Sequence, residues 1–204
     1  MQTNKHYVIT IGREFGSGGH EIGKKLSNAL GIKFFDGELI SEASRQSGVC
    51  EDMLGKSDEK APGILDYALL GGWGNESVLS CGSFYVLLSK VIKKIVHEQS
   101  CVIVGRTADY ILREHPNHVS VFIHAPESYR IDRICHENQV KKDLAVEMMQ
   151  KKDHQRAKYY SFYTDNEWGK SNNYDLSIDS SKLGINGTVS LLHIYIEQFL
   201  RDIL

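Results

Sequence analysis

Several signatures that would assign a chemistry at sight are missing from this chain. Its four cysteines, Cys50, Cys81, Cys101 and Cys135, include no C-x-x-C pair. That excludes a zinc ribbon and argues against a disulfide framework, so they read as the reduced thiols of a cytosolic protein. Nine histidines include no H-E-x-x-H, and no metal ligands are assigned. His115 and His118 flank a Pro-Asn turn and read as surface residues. Positive charge is not in excess, with 24 Lys and Arg against 26 Asp and Glu for a net charge of −2. A duplex nucleic acid is therefore not an expected partner. No apolar run reaches membrane-spanning length, and no signal peptide is seen. The expectation is a soluble, cytoplasmic protein without a membrane partner. Internal repeats and low-complexity segments are also lacking, and 204 residues suit a single domain.

What is present is concentrated near the start. A β-branched run, Tyr7 to Ile11, reads as a central strand. Glycines follow at 12, 16, 18 and 19, then a helical stripe of Ile22, Leu26, Ala29 and Leu30 that Gly31 stops. Strand, glycine loop and helix make an anion site, because successive backbone N–H groups and the helix N-terminus face one concavity. The loop residues Gly16, Ser17, Gly18, Gly19 and His20 are thus candidates for binding phosphate. The dinucleotide fingerprint G-x-G-x-x-G breaks at Glu21, which disfavours a nicotinamide-dependent oxidoreductase. The mononucleotide pattern G-x-x-x-x-G-K-[ST] fits in part. With Gly18 as its last loop glycine, Arg13 stands at the first glycine, Gly19 at the lysine and His20 at the hydroxyl. The backbone cradle is kept while its usual side chains are replaced.

Strands and helices alternate along the remainder. Lys33 to Asp36 reads as a second strand ending in an acid, and residues 37–47 as a helix. Residues 56–81, with Pro62 and the Gly71-Gly-Trp73-Gly74 cluster, read as an irregular insertion. Ser83 to Gln99 is a helix, Cys101 to Gly105 a strand, Arg106 to Leu112 a helix and Val119 to His124 a strand. Glu127 to Asn138 and Leu144 to Tyr163 are helices, Tyr174 to Ile178 a fifth strand, and Val189 to Leu204 a last helix capped by Asn186 or Thr188. This alternation predicts an α/β fold with a largely parallel sheet covered on both faces. Ligands bind such sheets beyond the carboxyl ends of the strands. The glycine loop, Asp36 and Gly105-Arg106 would meet there. Arg130 and Arg133 share a helix face, and Arg156 lies on the next helix. They suit a clamp over a transferring phosphoryl group, with a solvated charged face as the alternative.

On these residues the chain resembles the cytidylate kinase-like family of P-loop nucleoside monophosphate kinases. The resemblance is carried by GREFGSGG (12–19), FFDGELI (34–40), IVGRTADYIL (103–112), RAKYYSFYT (156–164) and YDLSIDSSKLGI (174–185). It implies a five-stranded parallel sheet flanked by helices, of the P-loop kinase type, with a core of about 1–55, 82–125 and 164–204. It implies a monophosphate-binding insertion at about 37–81 and a lid at about 127–160. The implied activity is transfer of the ATP γ-phosphoryl, with Mg2+, to CMP or dCMP. Carried over residue by residue, Gly16 to His20 would hold ATP phosphates, and Asp36, Arg106 and Asp109 would serve the acceptor. Arg130, Arg133 and Arg156 would clamp the phosphates. Where the chain departs from the family by lacking the loop lysine, Arg13 is the candidate to supply that charge. The alternative is a nucleotide-binding sensor that has lost catalysis, since Gly19 replaces the loop lysine.

Overall fold

The structure, a computed structural model, describes residues 6–37 and 76–201. Most of the expected 37–47 helix, Trp73 and most of the expected insertion lie outside the described residues. Five strands form one parallel sheet: β1 (Val8–Arg13), β2 (Lys33–Phe35), β3 (Cys101–Val104), β4 (His118–His124) and β5 (Leu176–Asp179). Their order is β2-β3-β1-β4-β5. Parallel neighbours need crossovers, and the helices between the strands supply them. β1 is central, with Ile9 opposite Val102 on one side and Val119 on the other. The chain places β2 and β3 to one side of β1, then β4 and β5 to the other. This reversal opens a crevice at the carboxyl end of β1, where the glycine loop begins.

The helices among the described residues are α1 (Gly19–Leu30), α2 (Glu76–Glu98), α3 (Ala108–Ile111), α4 (Glu127–Asn138), α5 (Lys142–Thr164) and α6 (Ser180–Arg201). Alternation along β1 splits its side chains between two cores. Ile9 and Ile11 pack with Ile22 and Leu26 of α1 and Leu192 and Ile196 of α6. Val8 packs on the opposite face with Leu88, Ile92 and Val96 of α2 and Ile111 of α3. Burying each such aliphatic side chain is worth about 1.5–3 kcal/mol, so both faces hold β1 in place. Cys101, fully buried in the second core, has its thiol pushed up to about 12 by burial.

Several boundaries differ from the sequence reading. α2 begins at Glu76, so residues 76–81 are helical where an irregular stretch was expected. α3 is a single turn because Gly105, Arg106 and Thr107 all hold positive φ (81°, 60° and 51°), which delays helix entry. The last helix starts at Ser180 instead of 189, with a kink at Gly184. Its cap is Asp179, whose carboxylate accepts the Ser181 N–H at 2.9 Å and hydroxyl at 2.6 Å. The expected caps do other work. Asn186 accepts from Lys25 Nζ at 2.9 Å, and the Thr188 hydroxyl donates to the Gly184 carbonyl at 2.7 Å. His118 is half-buried in β4, not a surface residue. Its ring meets Thr10 Oγ1 at 2.7 Å, and burial pushes its pKa down to about 4. No helix among the described residues is long and apolar enough to cross a membrane.

Candidate active site

The glycine loop joins β1 to α1 in the crevice beside β4. Gly16 and Gly18 hold φ of 82° and 81°, a region that side chains disfavour. Gly18 is also closely packed. A Cβ there would meet Ile185 of α6 and stand 3.4 Å from the guanidinium carbon of Arg133. With left-handed Gly18 as its cap, α1 turns its first backbone N–H groups toward the loop, and the first helical bond is Ile22 N–H to the Gly18 carbonyl at 2.9 Å. Those N–H groups and the helix dipole favour an anion.

The loop is braced from below. Ser17 is fully buried and its hydroxyl donates to the Glu14 carbonyl at 2.9 Å. The Ser180 hydroxyl donates to the Ser17 carbonyl at 2.6 Å, coupling the start of α6 to the loop. A second brace comes from the side. Asp153 of α5 accepts the Phe15 N–H at 2.8 Å through one carboxylate oxygen and pairs with Arg130 at 2.5 Å through the other. Arg130 also donates to the Phe15 carbonyl at 3.3 Å and lies 3.3 Å from Glu14. Glu14 in turn accepts the Ala125 N–H at 3.1 Å. Arg156 donates to the Arg13 carbonyl at 3.1 Å, with its guanidinium 5.7 Å from the centre of the Phe15 ring.

The three arginines of the expected clamp therefore have different settings. Arg130 is buried between Glu14 and Asp153 and fixes the shape of the loop. Arg156 is tied to the backbone where the loop begins. Arg133 stands at the loop mouth beside Gly18, paired with Glu21 at 3.2 Å and with Glu137. Lys25 and Arg133 hold the Glu21 carboxyl below its usual range.

At the neighbouring strand ends, Asp36 follows β2 and meets His20 Nε2 at 3.0 Å. Arg106 is buried and donates to the Gly37 carbonyl at 3.2 Å. Arg13 ends β1, and its side chain runs past Gly19 to Gly105. The loop, Asp36, Arg106, Arg13 and Arg133 thus share one rim. Asp109 faces another neighbour. Its carboxylate accepts the Tyr160 hydroxyl at 2.7 Å in an enclosed setting, and burial raises its pKa to about 6. Burial and the neighbouring Asp109 also push the Tyr160 hydroxyl pKa upward. Tyr85, stacked on Tyr163 at 4.2 Å, lies 3.3 Å from the Thr107 hydroxyl.

Sequence reasoning missed Glu14, Asp153 and Ser180. All three act on the loop through contacts between residues far apart in sequence, and no spacing rule signals such contacts. A cavity of about 470 Å3 also opens beside Glu14, lined by Phe122, His124, Pro126, Trp168 and Asp179. Its two carboxylates make it a poor phosphate site, in contrast to the α1 N-terminus.

The comparisons with known proteins agree with this fold. Cytidylate kinase of Saccharolobus islandicus is 22% identical over 190 residues, covering 93% of this chain and 90% of that one. A crystal structure from Eubacterium ventriosum superposes with a TM-score of 0.74 at 28% identity, covering 94% and 99% of the two chains. Shikimate kinase from Bacteroides thetaiotaomicron shares the fold, with a TM-score of 0.51 at 13% identity and coverage of 94% and 98%. The model of the cytidylate kinase-like family matches residues 8–182, and the chain belongs to that family.

Proposed function

We propose that the protein is a phosphotransferase that moves the γ-phosphoryl of ATP to a nucleoside monophosphate, with CMP and dCMP as the first acceptors to consider. The observation that carries this reading is the loop itself. A left-handed Gly16–Gly18 turn opens α1 at the carboxyl end of the central strand, with Arg133 at its mouth. In the reaction, an acceptor phosphate oxygen attacks the γ-phosphorus. The bond to the β,γ-bridging oxygen breaks, and ADP leaves with that electron pair. Loop N–H groups and arginines stabilise the charge on the phosphates, the main catalytic contribution in phosphoryl transfer. Asp36 and Arg106, on the same rim, would serve the acceptor.

Two features of the loop bear on Mg2+. Ser17 is fully buried beneath the loop, and His20 stands where the P-loop pattern has a hydroxyl. These side chains do not fit a directly bound Mg2+.

ADP release from Mg·ATP with CMP, dCMP, UMP, AMP and GMP, each against a blank without acceptor, tests the proposal. Acceptor-dependent turnover is expected. Saturable ATP binding without turnover on any acceptor favours the second reading, a nucleotide-binding sensor, which the glycine at position 19 supports.

A further inference from the structure

In the pattern G-x-x-x-x-G-K-[ST] the first glycine and the lysine are six positions apart, and here those positions hold Arg13 and Gly19. The structure brings the two residues into contact. A Cβ on Gly19 would stand 2.5 Å from Arg13 Cβ and 3.0 Å from Arg13 Cγ. Those atoms belong to the root of the arginine side chain, so rotation of its far end does not relieve the clash. A side chain at either position thus excludes one at the other. Further along, the Arg13 guanidinium lies against Gly105, where a Cβ would overlap Nη1 and stand 3.0 Å from the guanidinium carbon. Gly105 is thus a seat for the arginine head at the carboxyl end of β3.

We propose that residues 13 and 19 have exchanged roles: the cation of the phosphate loop is delivered by Arg13 from the end of β1, across Gly19, instead of from the first turn of α1. The inference rests on the phosphotransferase reading for its ligand, but the steric exchange stands on the geometry alone. It explains two departures together. Residue 13 need not be glycine because residue 19 carries no side chain. Residue 19 must be glycine because Arg13 Cβ and Cγ occupy the space that a side chain there would need. An arginine in this place also brings a planar fork suited to two phosphate oxygens, where lysine brings a point charge.

The test uses the full chain in five forms: wild type, Arg13→Gln, Arg13→Lys, Gly19→Lys and the double variant Arg13→Gly/Gly19→Lys. Melting temperature reads the steric exchange without any ligand. Gly19→Lys is expected to melt well below wild type, and the double variant to recover most of that loss. If Gly19→Lys melts with wild type, or the double variant melts no higher than Gly19→Lys, the exchange is overturned. Calorimetric titration with tripolyphosphate and with Mg·ATP reads the charge. Loss of a charge-assisted contact is expected to weaken Arg13→Gln by about 10- to 100-fold for both ligands. Arg13→Lys and the double variant should retain most of the affinity. Wild-type binding that Arg13→Gln leaves unchanged overturns the charge role alone. A wild type that binds neither ligand overturns the phosphotransferase reading, and the charge role with it.

Discussion

The middle and the end of α5 support the same rim by different chemistry. In the middle, Asp153 and Arg156 reach the glycine loop through charge: a carboxylate on the Phe15 N–H and on Arg130, a guanidinium on the Arg13 carbonyl. One to two turns later, Tyr159, Tyr160 and Tyr163 form an aromatic layer. It holds the Asp109 carboxylate and stacks on Tyr85, behind the left-handed turn at 105–107. The difference follows what each stretch faces. The loop presents backbone N–H and C=O groups that need polar partners when covered. The turn after β3 sits over an apolar core and needs filling more than pairing. The charged seam tolerates no lost partner, whereas the aromatic seam holds one carboxyl group whose protonation it governs.

The charged seam breaks first. The Arg130 side chain is 11% exposed and that of Asp153 18%, so removing either leaves charge stranded out of water. Arg130→Ala should cost about 3–5 kcal/mol in urea denaturation, the range for breaking a buried ion pair from one side. The apolar double variant Arg130→Met/Asp153→Leu should cost less than that. A single-variant loss below about 1 kcal/mol would reduce this seam to a surface ion pair.

The aromatic seam is sharpened by pH. The folded state raises Asp109 from 3.8 to about 6, so it holds that proton more tightly than the unfolded chain does. The Asp109 contribution to stability should therefore fall as pH rises through that window and level off above about 6, against an opposite contribution from His118, whose pKa burial lowers from 6.5 to about 4. The span is on the order of 2–3 kcal/mol. Asp109→Asn keeps an acceptor for Tyr160 and removes the titration. Urea midpoints at several values across that window should rise more steeply with pH in the variant than in wild type, since of the two only the His118 contribution is left. An unchanged slope would assign the titration to another group.

The smallest effect on stability is expected where neither seam reaches. Arg133 pairs with Glu21 and Glu137, whose side chains are half exposed. Arg133→Ala should cost under about 1 kcal/mol of stability, as for exposed pairs. Its affinity for Mg·ATP should nevertheless fall by about tenfold. A large stability loss instead would place Arg133 with Arg130 as a brace.

Much of the rim was legible because local rules write it. The β-branched run before the glycines and the apolar stripe after them define β1, the loop and α1 by periodicity and backbone conformation alone. Asp36 and Gly105-Arg106 were legible as strand tails, since a parallel sheet brings its carboxyl ends together. The three arginines looked alike in sequence because spacing reports helix face and not the partner across it. Burial against Glu14 and Asp153 is what separates Arg130 from Arg133. Asp109 read as an acid near the acceptor, yet its nearest donor is Tyr160, 51 positions away along the chain.

By itself the sequence determined the alternation of strands and helices, the parallel sheet and the glycine loop as an anion cradle. Each follows from side-chain period, turn chemistry and helix capping within a few residues. Only the tertiary structure decided which cations brace and which face the rim, that Asp109 meets Tyr160, and that Arg13 and Gly19 compete for one space. Those outcomes depend on which atoms distant segments bring within a few ångströms. Desolvation and steric exclusion act at that range whatever the separation along the chain.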